Sequence, residues 1–206
     1  MITTKKQDII KFLKEHIEPL ENNIYGAGYR ASAYLTDGTF LPCVVFRNSR
    51  NTINLAIRRF KEEQTGKSVF SKSSGLGYFD IVKNFVTKGN CINEYDIEPV
   101  EKSAFAFPLS IQQQIKGETT MGWTGFVVKM KDGKYFGFGS SFLWEFFQMP
   151  ENYTSDDIDE IINHSYVSKN GELRQHKVPF FNFPDDYKEA VIYRERPFFE
   201  CYLDEL

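Results

Sequence analysis

Three Asx-Gly dipeptides divide this chain, and they constrain its fold more than any other feature of the sequence. They are Asp37-Gly38, Asp132-Gly133 and Asn170-Gly171. Residues typical of β-strands stand on both sides of each pair. Glycine adopts the positive φ that a tight hairpin turn requires, and Asp or Asn often precedes it. The sequence therefore predicts three antiparallel β-hairpins.

The first hairpin is predicted to join a strand within residues 24–36 to a strand at 39–46. Pro42 cannot donate a ladder hydrogen bond, which favours an edge position or a bulge. A helix is predicted over residues 47–64, where Ile53, Ile57 and Phe60 share one face and Arg58, Arg59 and Lys61 point elsewhere. This order is ββα.

The second hairpin repeats the order, with strands at 123–131 and 134–139 and a short helix at 142–149 capped by Ser140 or Ser141. Two interpretations remain open. The chain is a duplication with halves 1–88 and 89–206, or it contains two hairpins of one antiparallel sheet. Both predict the α+β class, as a single domain over residues 1–206 with helices packed against an antiparallel sheet.

Further helices are predicted, including one that carries Phe79, Val82, Phe85 and Val86 and one that starts at about Asp185 and stops before Pro197. Two others have clearer signals. The first is amphipathic and ends near Pro19, with apolar residues at helical spacing: Ile9, Ile10, Leu13, Ile17 and Leu20. The second covers residues 153–164, where Thr154 and Asp157 match a capping box. Capping also explains the acidic residues 156–160 without a metal ion.

Composition predicts a folded protein with reduced thiols. Twenty phenylalanines among 206 residues allow a large apolar core. The cysteines Cys43, Cys91 and Cys201 lie far apart, which argues against a disulfide framework and a zinc knuckle. Charges in the first sixteen residues interrupt any signal peptide, and the chain lacks a long apolar run. We therefore expect a cytoplasmic protein without a membrane segment.

Charge is unevenly distributed along the chain. Residues 47–88 contain nine Lys or Arg against three Asp or Glu, whereas residues 145–206 contain six against fourteen. Clustered cations could bind nucleic acid or another anion, and the candidates are Arg47, Arg50, Arg58, Arg59 and Lys61. The alternative is a solvated surface, or one paired with the acidic residues of the same chain.

The histidines do not predict a metal or acid–base site. If Asn170-Gly171 forms a two-residue turn, His176 faces Ser165 and His164 projects from the opposite face of the hairpin. Only a different register would bring His164 and His176 together. We assign no catalytic residue, no metal ligand and no cofactor.

Aromatic residues of the C-terminal half suggest a partner-binding surface. The candidates are Trp144, Phe146, Phe147, Phe180 and Phe181. They complete the core, or part of them forms aromatic anchors inside an acidic rim. Such a rim would suit a basic partner protein.

These observations predict a non-enzymatic protein that acts by occupying a protein partner, as an inhibitor, an immunity-type protein or an accessory subunit does. The alternative is a nucleic-acid-binding or nucleotide-binding protein or enzyme that uses the basic segment 47–72. A structural member of a larger assembly is a third hypothesis, which the sequence does not separate from the first.

Overall fold

The computed structural model describes residues 3–20, 27–65, 77–176 and 185–206. The chain forms two compact units, one made of Met1–Lys102 with Phe199–Leu206 and the other of Ser103–Phe198. Helices occur together with antiparallel and mixed sheets, which confirms the α+β class. Each unit contains one Asp-Gly hairpin, but the division follows Lys102 and not residue 88. A duplication stays a prediction, as does a single domain.

The elements are short, apart from two helices. The helices are α1 (Thr3–His16), α2 (Ser49–Gln64), α3 (Tyr78–Ile81), α4 (Leu109–Gln112) and α5 (Asp185–Lys188). A π-helical segment, Val82–Val86, continues α3, and 3-10 turns occupy Glu94–Asp96 and Ser155–Asp157. The strands are β1 (Pro19–Leu20), β2 (Gly28–Leu35), β3 (Phe40–Arg47), β4 (Cys91–Ile92), β5 (Ile97–Lys102), β6 (Thr124–Met130), β7 (Tyr135–Ser140), β8 (Ile158–Asn163), β9 (Ser165–Val167), β10 (Leu173–Gln175), β11 (Ile192–Arg194) and β12 (Phe199–Tyr202).

The first unit packs α1 against a mixed sheet of order β1-β2-β3-β12-β4, with β5 beside β2. The predicted apolar face of α1 is buried at Ile9, Ile10, Leu13 and Ile17, in one cluster with residues of β2, β3 and β12. Periodicity therefore identified both the helix and the face that it buries.

The sequence had suggested a purely antiparallel sheet, but two of the sheets also contain parallel pairs of strands. Strand β12 lies between β3 and β4 and is parallel to both, and β11 is parallel to β7. Parallel neighbours require a long crossover connection, so no local turn signal marks the pairing. The expected antiparallel sheet is corrected to two mixed sheets and a separate antiparallel hairpin.

All three Asx-Gly turns have the same geometry. In each, the glycine N–H donates to the carbonyl three residues earlier, as Gly38 does to Leu35 at 2.9 Å. The glycines have φ between 80° and 88°, whereas among the described residues other than glycine only Asn152 and His164 have positive φ. This is a type I turn closed by a glycine bulge, and it shifts the strand register by one residue from that of a two-residue turn.

Pro42 marks a bulge, as predicted. The register of β2 and β3 passes from Ala31 opposite Val44 to Ala33 opposite Leu41, so Pro42 and Cys43 together face Ser32. The Ser32 hydroxyl donates to the carbonyl of Pro42 at 2.9 Å. The bulge thus accommodates a residue without an N–H inside a paired strand.

The second unit has a sheet of order β11-β7-β6-β8 and a core rich in phenylalanine. Phe107, Phe126, Phe138 and Phe147 contact one another in stacked and edge-to-face pairs, with ring centroids between 4.7 and 6.1 Å apart. Aromatic packing therefore supplies much of the apolar burial in this unit.

Two predicted helices of the second unit do not form. In residues 142–149 the backbone bonds to other segments, with the Phe147 N–H donating to Phe105 O and the Gln148 N–H to Arg194 O. Residues 158–163 form β8, which pairs with β6, and the Thr154–Asp157 capping box closes only a 3-10 turn. Pairing with distant strands outweighed local helical signals at both places.

Candidate functional site

Helix α2 begins at a side-chain cap and buries a narrow face. The Asn48 side chain accepts a hydrogen bond from the Arg50 N–H at 2.8 Å, as an N-cap does. Thr52, Leu55 and Ala56 are the buried residues of the helix. Leu55 and Ala56 form a small apolar cluster with Ile81 of α3. Much of the helix surface is therefore open.

The predicted apolar face of α2 exists, but it is exposed. Ile53, Ile57 and Phe60 retain 48%, 47% and 45% of their accessible surface. They lie side by side at helical spacing, beside the buried face and separate from it. We call these three residues the α2 stripe. Scattered apolar residues on a surface are ordinary, but a continuous exposed stripe on one helix makes that surface a candidate site.

The segment Tyr78–Val86 stands opposite the α2 stripe. The carboxylate of Glu63 accepts the N–H of Tyr78 at 2.8 Å and so joins this segment to α2. The rings of Phe60 and Tyr78 lie 5.2 Å apart. The Thr87 N–H donates to Val82 O at 2.8 Å, five residues back, which closes the π-helical turn.

Between these two walls lies a groove made of two adjoining depressions. One has a volume of about 290 Å³ and is lined by Ile53, Ala56, Ile57, Phe60, Tyr78, Val82 and Val86. The other, about 390 Å³, is lined by Ser49, Thr52, Ile53, Phe85, Val86, Cys91, Ile92, Asn93, Glu94, Tyr95 and Tyr202. Because Ile53 and Val86 line both, the depressions are continuous. We call them together the α2 groove.

Cations border the α2 groove. Arg50, Arg58 and Lys61 are exposed and fall within about a quarter of the circumference of α2, next to the stripe. On the other wall Lys83 is also exposed. The structure therefore brings three of the five predicted cations together on one open surface.

The other two predicted cations are engaged within the fold. Arg59 is half-buried and forms an ion pair with Glu62 at 2.8 Å. Arg47 is buried, and its Nε lies 3.4 Å from the carboxylate of Glu200, which is itself 1% exposed. Lys88 pairs with the second oxygen of the same carboxylate at 2.9 Å. Arg47 thus contributes to the interior of the first unit and not to its surface.

The Glu200 carboxylate also organises Tyr202. The Tyr202 hydroxyl donates to Glu200 Oε2 at 3.0 Å. Burial and the nearby negative charge raise the pKa of Tyr202, so this phenol keeps its proton at neutral pH. Glu200 therefore joins β12 to β3 and to the turn at Lys88 through charge-assisted hydrogen bonds.

The predicted aromatic surface of the C-terminal half does not form from its described members. Phe146 and Phe147 are fully buried, and Trp144 is half-buried against the ring of Phe147. They complete a core, which was the other interpretation of their sequence. Phe180 and Phe181 lie outside the described residues, as do residues 66–72 of the basic segment.

The hairpin register brings together two histidines that the sequence had separated. Ser165 pairs with Gln175, so His176 stands opposite His164, and the His176 N–H donates to His164 O at 2.7 Å. The expected register was wrong by one residue because the turn contains a glycine bulge. Among the described residues no group of three or more His, Cys, Asp or Glu could hold a metal ion.

No sequence pattern pointed to two exposed aromatic residues in this region. Tyr95 lines the α2 groove and is 70% exposed. Phe79 is 79% exposed, and its ring lies 5.9 Å from the ring of Tyr78, which lines the groove. Only the tertiary structure brings these rings to the region of α2, because no local pattern connects them with that helix.

Comparison with protein-family models, with curated proteins and with solved structures found no match. No helix among the described residues is both long and apolar enough to cross a membrane.

Proposed function

We propose that this protein is a binding protein and that it occupies a protein partner through the α2 groove. The observation that carries the proposal is the exposed α2 stripe, which faces a second apolar wall across an open groove. Interfaces are enriched in aromatic side chains and in Arg relative to the rest of the surface. Phe60 and Tyr78 in the groove, with Arg50 and Arg58 on α2, match that composition.

The apolar chemistry of the groove favours a protein over a nucleic acid. In the smaller depression the aliphatic residues Ile53, Ala56, Ile57, Val82 and Val86 outnumber the two aromatic rings, whereas nucleic-acid platforms rely on aromatic rings that stack on bases. A nucleic acid remains the second candidate because Arg50, Arg58 and Lys61 share one exposed face beside Phe60. Phosphate neutralisation by these cations would make such binding strongly dependent on salt.

An inhibitor, an immunity-type protein or an accessory subunit would act in this way, by covering a surface of its partner. We place the protein in the cytoplasm as part of the same proposal. The cysteines Cys43, Cys91 and Cys201 are not joined in disulfides, which suits a reducing compartment. The earlier expectation of a basic partner depended on an aromatic surface in residues 145–206, and the burial of Phe146 and Phe147 moves the proposed site to α2.

The test begins with partner capture from the source cell and ends with two purified proteins. Titration calorimetry should give a defined stoichiometry for the wild type and at least tenfold weaker binding for Ile57→Glu. Val191→Glu is the matched control, because Val191 is an exposed apolar residue of the other unit and should leave binding unchanged.

Three results would count against the proposal. If Ile57→Glu and Val191→Glu behave alike, the groove is not the site. If no complex can be reconstituted from purified components, the captured protein was adventitious. If single-stranded RNA binds, releases steeply with salt and is lost in Arg58→Glu/Lys61→Glu, the nucleic-acid hypothesis replaces the present one.

A further inference from the structure

We infer that the α2 groove receives an amphipathic helix whose apolar stripe is flanked by acidic residues. This inference rests on the proposed function and specifies the chemistry of the partner segment. It follows from the length of the groove, from the nature of its walls and from the sign of the charges on its edges.

The dimensions of the groove suit a helix of about three turns. Its α2 wall runs from Ser49 to Phe60, a length of about 16 Å at the rise of an α-helix. Each depression is lined by a group of α2 residues, and the mean positions of the two groups differ by about five residues. At the rise of an α-helix this is a distance of about 8 Å. Anchors at i and i+4 or i+7 span about 6 to 10 Å, so one helix can place a side chain in each depression.

The walls of the smaller depression are helical, and the larger depression is lined in part by β4, an edge strand of only two residues. A strand-like ligand needs a longer open strand edge that supplies main-chain partners, and α2 and Tyr78–Val86 use their backbone groups in their own turns. A helical ligand satisfies its own backbone and contributes only side chains. The walls therefore favour a helix over an extended peptide.

The charged residues at the edges of the groove favour a partner segment with negatively charged side chains. Arg50, Arg58 and Lys61 stand on one edge and Lys83 on the other. Glu62 pairs with Arg59 and Glu94 pairs with Lys6 at 3.1 Å, which leaves Asp80 and Glu63 as the other carboxylates of α2 and the Tyr78–Val86 wall, against four exposed cations. Acidic residues on both sides of an apolar stripe would meet these cations, which adds specificity and accelerates association.

The same charges argue against a second copy of the chain. A symmetric dimer through α2 would bring Arg58 and Lys61 of one copy toward the identical residues of the other. Like charges facing each other are destabilising. An acidic helix from another protein avoids this repulsion.

Three fluorescent helical peptides of about 15 residues provide the probes. The first carries Leu at positions i, i+4 and i+7 with flanking Glu. The second has Lys in place of each Glu, and the third keeps the composition of the first but scatters its Leu residues. We expect the Glu-flanked peptide to bind, with an affinity that falls severalfold between about 50 and about 200 mM salt. The Lys-flanked and scattered peptides should bind at least tenfold more weakly.

Charge reversal tests the edge directly. The variant Arg58→Glu/Lys61→Glu should bind the Lys-flanked peptide more tightly than the Glu-flanked peptide, which inverts the order of affinities found for the wild type. The matched control is Lys11→Glu/Lys116→Glu, which changes two exposed lysines outside the groove and should leave the ranking intact. Circular dichroism of both variants would establish that they remain folded.

Cys91 locates the bound peptide. It is exposed and lines the groove, whereas Cys43 and Cys201 are buried. The Glu-flanked peptide should therefore slow the reaction of Cys91 with a maleimide at least fivefold, and the residual reaction should disappear in Cys91→Ser. Binding without this protection would place the peptide elsewhere and overturn the inference.

The remaining outcomes separate the inference from the proposed function. Equal binding of Glu-flanked and Lys-flanked peptides, both lost in Ile57→Glu, would overturn the acidic partner and leave the groove as the binding site. If none of the peptides binds, the inference is also overturned. The proposed function would then still be tested separately, by the complex reconstituted from purified proteins. A dimer in ultracentrifugation that Ile57→Glu dissociates would identify a second copy as the occupant.

Discussion

At the scale of single residues, His176 shows how burial sets the charge of a side chain. It is 6% exposed, and its ring contacts Tyr166 and Tyr187 at centroid distances of 4.8 and 5.0 Å. Burial, with a smaller contribution from the nearby His164, lowers the pKa of His176 to about 4. The imidazole is therefore neutral in the folded protein at pH 7.

This depressed pKa predicts a loss of stability in mild acid. Between pH 6.5 and pH 4 His176 is protonated in the unfolded chain but stays neutral in the folded chain. The free energy of unfolding therefore falls as the pH falls through this range. The total loss below pH 4 should be about 3 kcal/mol. Urea unfolding at a series of pH values measures it.

The control removes the titrating group. His176→Gln should flatten the pH dependence between pH 6.5 and pH 4, whereas His16→Gln, at an exposed position, should not. An equal slope in wild type and His176→Gln would show that another group causes the acid sensitivity.

At the scale of elements, α2 has one apolar face that is buried and another that is exposed. Leu55 is 6% exposed and contacts the cluster with Ile81, whereas Ile57 is 47% exposed on the stripe. Helical periodicity in the sequence identified only the face of Ile53, Ile57 and Phe60, and not Leu55. It did not indicate which face packs against the protein, because α2 packs against a short segment and not against a broad sheet.

Alanine substitutions on the two faces should therefore differ. Leu55→Ala should lower the free energy of unfolding by about 2 kcal/mol or more, because it leaves a cavity in a packed cluster. Ile57→Ala should change it by about 0.5 kcal/mol or less, because its side chain already meets water. Denaturant unfolding of both variants decides this, and equal losses would mean that the stripe is packed in solution.

A second prediction concerns the junction of β3 and β12. Glu200→Gln should destabilise the protein by about 3 kcal/mol, because Arg47 and Lys88 would lose a buried counter-charge. The control Glu189→Gln breaks an exposed pair with Lys169 and should cost about 0.5 kcal/mol or less. Thermal unfolding of the two variants compares them, and similar melting temperatures would refute the structural role of Glu200.

At the scale of the whole molecule, the first unit is discontinuous in sequence. Residues 1–102 form it together with Phe199–Leu206, and β12 supplies a strand between β3 and β4. Cys201 and Leu203 belong to the same core cluster as α1. The second unit, Ser103–Phe198, contains both tryptophans, Trp123 and Trp144.

This arrangement predicts the effect of removing residues 199–206. The first unit should unfold, because its sheet loses a strand paired on both sides. The second unit should keep its tryptophan emission and a cooperative unfolding transition. Emission and far-ultraviolet circular dichroism, recorded during urea unfolding, separate the two effects. Loss of the tryptophan transition would show that the second unit depends on the first.

Local chemistry determined much of this protein. The Asx-Gly turns, the bulge at Pro42, the helix before Pro19 and the cap of α2 each depend on residues that are neighbours in sequence. The register of the hairpins is also local, and it was misjudged only because a glycine bulge was taken for a two-residue turn. The α+β class follows from the same signals.

The tertiary structure alone decided where those elements meet. It placed β12 beside β3 and turned residues 158–163 into a strand, and it buried Phe146 and Phe147 while leaving Ile57 exposed. None of these outcomes follows from a local pattern, since each depends on which surfaces are available for a segment to cover. The α2 groove exists for the same reason, because Tyr78–Val86 covers only one face of a helix whose sequence offers two.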